Sequence, residues 1–184
     1  MSTATVVGAQ MPLEITLDDL ARMAEADEHH RYELSREGVL SVMPPATPEH
    51  AVLVSRIVHW FFGNGFGPEQ VTADCGIDVG GGRQPDLTIW AKGQPPRRGR
   101  SSYAGLDGLL LAIEVVSVDS VLIDRVVKKA EYGAAGVPRY WTVDRDARNT
   151  VHLHRLVGGD YDEYETLPLG ALLEGSPDGF AAIT

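Results

Sequence analysis

The chain has 184 residues, with 16 basic against 26 acidic side chains and a formal net charge of −10 at pH 7. Hydrophobic residues at 43% and charged residues at 23% are the proportions of a folded soluble chain, which excludes wholesale disorder. The charge excludes nonspecific coating of nucleic acid by a broad basic surface, and the single cysteine, Cys75, excludes both an intrachain disulfide and a cysteine zinc cluster.

Residues 1–12 show no periodicity and are expected to form a flexible arm ahead of one domain over 13–184. They carry no basic segment followed by an apolar core, and no run of about 18 apolar residues follows, so a cytoplasmic protein with no membrane span is expected. Thr16, the acids Asp18 and Asp19, and apolar residues at helical spacing predict a capped helix up to Glu25. Residues 31–34 and 39–43 read as a β-hairpin ended by Pro44 and Pro45. Ala51, Val54, Ile57, Val58, Phe61 and Phe62 then mark an amphipathic helix over 48–62, with Gly63 and Gly65 at its end.

The period changes to extended in the middle of the chain. Residues 71–79 and 85–90 are predicted strands about a Gly80-Gly81-Gly82 turn, and 91–108 an exposed loop carrying Lys92, Arg97, Arg98 and Arg100. Residues 109–116 form an almost wholly apolar run, the pattern of a central strand covered on both faces. Residues 121–135 return to helical spacing before Gly136 and Pro138, a common helix stop. Strands are expected over 139–143 and 150–156, with an edge strand over 161–166. This order predicts an α/β (α+β) fold with a mixed central β-sheet flanked by helices.

Glu114 is the strongest anomaly, because it is the one ionisable residue within the apolar run. A buried carboxylate must be paired, protonated or bound to a cation. Asp86 begins the neighbouring predicted strand; if the two strands pair, both carboxylates converge at one end of the sheet, where a hard divalent cation would offset their repulsion. The alternative is a lone acid satisfied by a backbone donor or an arginine. Asp124, Lys128 and Tyr132 share a helical face; they are either a solvated ion pair or a group reaching back to the same carboxylates. Trp60, Trp90, Tyr140 and Trp141 are assigned to the core, and Cys75 to a small buried position.

Together, Tyr32-Glu33-Leu34, Gly38-Val39-Leu40, Val42-Met43-Pro44-Pro45, His50, Pro85-Asp86, Ile113-Glu114-Val115-Val116-Ser117, Asp124, Lys128, Tyr132, Gly136-Val137-Pro138 and Tyr140-Trp141-Thr142-Val143-Asp144 resemble the Uma-type family, a group within the PD-(D/E)XK, or restriction endonuclease-like, superfamily. The resemblance implies a restriction endonuclease-like fold and Mg²⁺- or Mn²⁺-dependent cleavage of DNA phosphodiester bonds. It makes Asp86 and Glu114 metal ligands. The superfamily lysine two residues after the second acid is Val116 here, and the Uma-type pattern assigns its role to Lys128. Glu33 matches the family's early acid, as a further ligand or a base that positions water. His50 matches a histidine that contacts phosphate or orders an acid, against the plainer reading of a local helix-start hydrogen bond. Ser117 and Asp124 would support the turn, where Val118 replaces the family's usual proline.

The expected partners are DNA and a divalent metal, and a homodimer would suit double-strand cleavage. Two other readings stay open from the sequence. One is a catalytically inactive binding or assembly module that keeps the nuclease fold, and the other is a metal-dependent hydrolase of another phosphoester.

Overall fold

The computed structural model describes residues 14–27, 29–99, 101–117 and 120–177. The expected N-terminal arm lies outside them.

Helix α1 (Leu17–Ala26) starts at Thr16, whose hydroxyl accepts from the Asp19 N–H while the Asp19 carboxylate accepts from the Thr16 N–H. This reciprocal cap satisfies two donors that a helix start otherwise leaves open. Strands β1 (Arg31–Leu34) and β2 (Leu40–Met43) pair as the predicted antiparallel hairpin. Helix α2 (Pro48–Gly63) follows, capped by Thr47.

The predicted strand over 71–79 is two strands. Its first part, β3 (Val71–Ala73), is separated from β4 (Ile77–Asp78) by Asp74, whose φ of 50° leaves the extended region. Alternation of side chains alone does not reveal such a break. Strand β4 pairs with β5 (Gly82–Arg83) around the glycine turn, and β6 (Leu87–Trp90) pairs with β3. The 91–108 loop is less exposed than expected, since Tyr103 and Ala104 are buried. Cys75 is half-buried and not fully enclosed.

Strand β7 (Leu109–Val116) is central, as its apolar run predicted. The main sheet has the order β10-β9-β8-β7-β6-β3, where β8 is Arg139–Asp144, β9 Thr150–Val157 and β10 Asp160–Pro168. Only β7 and β8 run parallel, so the connection between them must cross over the sheet. That crossover is the predicted helix, but it opens with a turn of π-helix (Ile123–Lys128) before α3 (Lys129–Ala134). Gly136 ends it at a φ of 83°, a conformation that costs glycine little. A last helix, α4 (Leu169–Glu174), was not expected; six residues give too little periodicity to separate it from a loop.

Two cores flank the sheet. Leu111, Ile113 and Val115 of β7 pack with Leu53, Ile57, Trp60 and Phe61 of α2 on one side. Ala112 packs with Tyr132, Val137 and Tyr140 on the other. Because side chains alternate along a strand, Glu114 falls on the face of Ala112, beneath the crossover helix.

Candidate active site

Strands β6 and β7 pair antiparallel with Leu87 opposite Ile113, so the register brings Asp86 level with Glu114 at one end of the sheet. Asp86 is fixed from three sides. Its Oδ2 accepts the Val115 backbone N–H at 2.7 Å and lies 3.0 Å from His50 Nε2, while Oδ1 accepts from Arg31 at 3.0 Å. Burial disfavours its charge, but His50, Arg31 and the Val115 N–H outweigh this and hold its carboxyl below the ordinary aspartate value.

Glu114 Oε1 accepts from Lys128 Nζ at 3.0 Å and from the Tyr132 hydroxyl at 2.8 Å. Lys128 Nζ is also 3.0 Å from Glu33 Oε1 and 3.3 Å from Asp124 Oδ1. The Asp124–Lys128 pair is therefore no solvated surface bridge, because both residues are buried. The π-turn contributes to this placement. Its wider winding carries Asp124 and Lys128 inward together, and the Asp124 carbonyl accepts from the Tyr140 hydroxyl at 2.7 Å.

Glu33 is buried on β1 and tied down by its second oxygen, which accepts from Arg83 at 3.1 Å; Oε1 also accepts the Gln84 N–H at 2.9 Å. Arg83 in turn donates twice to Glu131 of α3, at 2.5 and 3.0 Å. Gly81 makes this junction close enough. A Cβ there would lie 2.4 Å from the Leu34 carbonyl oxygen and 2.7 Å from the Ser35 carbonyl carbon.

The cluster holds five buried carboxylates, Glu33, Asp86, Glu114, Asp124 and Glu131, against the buried Arg83 and Lys128 and the half-buried Arg31. Burial, opposed by Lys128 but reinforced by Asp86, Asp124 and Glu33, pushes the Glu114 carboxyl up to about 8. Burial likewise disfavours the Lys128 ammonium, yet Glu114, Glu33 and Asp124 more than compensate and keep it charged. The surplus negative charge and the all-oxygen donor set of Asp86 and Glu114 fit a hard divalent cation. Among the described residues no three or more His, Cys, Asp or Glu side chains are arranged to hold a metal. Mg²⁺ commonly uses one or two carboxylates, with water and substrate phosphate completing its shell.

The family model described as "Putative restriction endonuclease", Uma2, matches residues 17–181. The chain belongs to that family. No curated protein matches it. Among solved structures, a putative nuclease belonging to DUF820 from Anabaena variabilis shares 20% identity over 84% of each chain, with a TM-score of 0.63. At that identity the likeness concerns the fold, which is the restriction endonuclease-like arrangement expected from the sequence.

In this Uma2 chain, Glu33, His50, Asp86, Glu114 and Lys128 all line one cleft of about 570 Å³. His50 meets both of its sequence readings: its backbone N–H donates to Thr47, while its ring reaches Asp86. Arg31, Arg83 and Glu131 were missed. Arg83 lies three positions before Asp86 and Glu131 three after Lys128, but charges flanking a turn or on a helix carry no sign that they face inward. Lys92, Arg97 and Arg98 do not line the cleft.

Proposed function

We propose that the protein is a Mg²⁺- or Mn²⁺-dependent endonuclease that hydrolyses DNA phosphodiester bonds. Membership of a nuclease family supports the activity class, and one observation supports the site: Lys128 and Glu114 are in contact at 3.0 Å beside Asp86, across paired strands, within a surplus of buried negative charge.

Asp86 and Glu114 would hold the metal. When bound, the ion would acidify a coordinated water and stabilise charge on the phosphate. The protein's own groups have separable tasks. Lys128, kept cationic by its three carboxylates, orients the attacking water and offsets phosphate charge. Glu33 fixes Lys128 and is placed to accept a proton from water. His50 and Arg31 orient Asp86, and Tyr132 orients Glu114. Among the described residues no helix is long and apolar enough to cross a membrane.

The test uses circular DNA, single-stranded and plasmid, which has no ends for an exonuclease. Wild type should cut it with Mg²⁺ or Mn²⁺ and fail in chelator. Asp86→Ala, Glu114→Ala and Lys128→Ala should each lose about 10²-fold or more, the scale of removing a group that acts on the proton or charge in flight. Cleavage that survives all three substitutions would place the activity elsewhere.

A further inference from the structure

The cleft's depth, walls and scarcity of free cations bear on what kind of DNA enters it. Glu114 is 3% exposed, Asp86 5% and Lys128 3%, so a phosphate must descend to meet them. The cleft of about 570 Å³ is the size of a small-molecule site, roughly 300–1,000 Å³. A duplex holds each phosphate on a stiff double helix, with a persistence length of about 50 nm, and cannot feed one into such a space without unstacking. An unpaired strand can turn its bases aside.

The walls differ in chemistry. One is the apolar run Val42, Met43, Pro44, Pro45 and Ala46, of which all but Met43 are exposed, with Val42 51% exposed. The facing wall includes Ser117, Ser120 and Arg145. An unpaired nucleotide has matching parts: an apolar base face for the first wall, and a phosphate for the hydroxyls and guanidinium of the second.

Charge points the same way. Duplex binding through the backbone commonly neutralises about 6–10 phosphates. Of the cations lining the cleft, Lys128 is held by three carboxylates and Arg31 by Asp86 and Asp74. Arg145 is held only at 4.0 Å by an exposed Glu49, so it can turn to a ligand.

We infer that the cleft takes an unpaired DNA strand, with its bases against the lip from Val42 to Ala46 and its phosphate beside Arg145 and the buried acids. The inference rests on the nuclease reading for cleavage, but strand binding can be measured without it. Fluorescein-labelled oligonucleotides of about 16 nucleotides, the upper site size of one single-strand module, are offered as a single strand, as a duplex, and as a duplex with an unpaired flap. Anisotropy is read in Ca²⁺ and cleavage in Mg²⁺.

The single strand should bind and be cut at least about tenfold better than the duplex, with cuts in the flap falling in its unpaired part. Its affinity should fall with salt at a slope of about two or less, as few phosphate contacts imply. The double substitution Val42→Asp, Pro45→Asp should weaken strand binding about tenfold, while Val157→Asp, on an exposed position of β9, should not. Equal or better cutting of duplex overturns the inference and leaves the nuclease reading standing. Preferential strand binding without cleavage upholds the inference and removes the nuclease reading. No binding to any of the three overturns the inference.

Discussion

Lys128 Nζ lies 3.0 Å from Glu33 Oε1 and equally far from Glu114 Oε1, so one ammonium joins the N-terminal hairpin to the central strand. With Asp124, three buried carboxylates depend on it. Lys128→Met therefore leaves like charges facing one another without a counterion. Removing one partner of a buried ion pair typically costs about 3–5 kcal/mol. Urea denaturation in chelator at pH 7 should show a loss of that size. A loss below about 1 kcal/mol would mean that the cluster is hydrated and the ammonium is not its organising charge.

Gly81→Ala tests the junction between the hairpin and β5. The added Cβ would meet the backbone of Leu34 and Ser35, and backbone atoms have no rotamer by which to withdraw. Overpacking of this kind costs about 1–3 kcal/mol. The denaturation midpoint should fall accordingly, with its slope unchanged. Gly105→Ala, where nothing lies within 4 Å, is the control and should stay within about 0.5 kcal/mol.

The difference between those two glycines also marks how far the sequence could be read. Apolar periodicity identified α1, α2, the hairpin and β7, because each buries one regular stripe or run. Glu114 stood out for the same reason, as a charge inside an apolar run. The resemblance brought in Lys128 across a gap in sequence that spacing alone could not close. Arg83, Glu131 and Arg31 were illegible because their inward direction follows from long-range pairing, Arg83 with Glu33 and Glu131, and Arg31 with Asp86. The π-turn was illegible too, since it keeps helical spacing while changing which residues face the sheet.

Thr16→Ala removes a capping hydroxyl that also hydrogen-bonds Asp19. Loss of such a cap costs about 1 kcal/mol. Hydrogen bonds from the Thr16 hydroxyl and N–H, with Arg22, lower the Asp19 carboxyl to about 2. A depressed carboxyl contributes stability above its unfolded value near 3.8, and the contribution disappears as pH falls through about 2. Carboxyl NMR should place the Asp19 midpoint near 2 in wild type and closer to 3.8 in Thr16→Ala. An identical midpoint in both would remove the capping box as its cause.

Glu114 should give the metal-free protein an unusual pH dependence. Burial, with Asp86, Asp124 and Glu33 close by, raises its carboxyl from the ordinary 4.5 to about 8 against the pull of Lys128. Between those values the folded chain binds the proton more tightly than the unfolded chain, so stability must fall as pH rises from 4.5 to about 8. Asp124, also raised chiefly by burial, acts in the same direction. His154, lowered by burial, acts oppositely below 6.5, so the wild-type curve alone is a mixture. The difference between wild type and Glu114→Gln isolates the carboxyl. In chelator, the stability of wild type relative to Glu114→Gln should decline steadily from pH 5 to pH 8. Mg²⁺ binds the ionised carboxylate and stabilises the folded chain by mass action, so it should reverse that decline for wild type and leave Glu114→Gln little changed. A difference that is flat or rises with pH in chelator would mean that Glu114 is ionised throughout, with Lys128 alone sufficient to hold its charge.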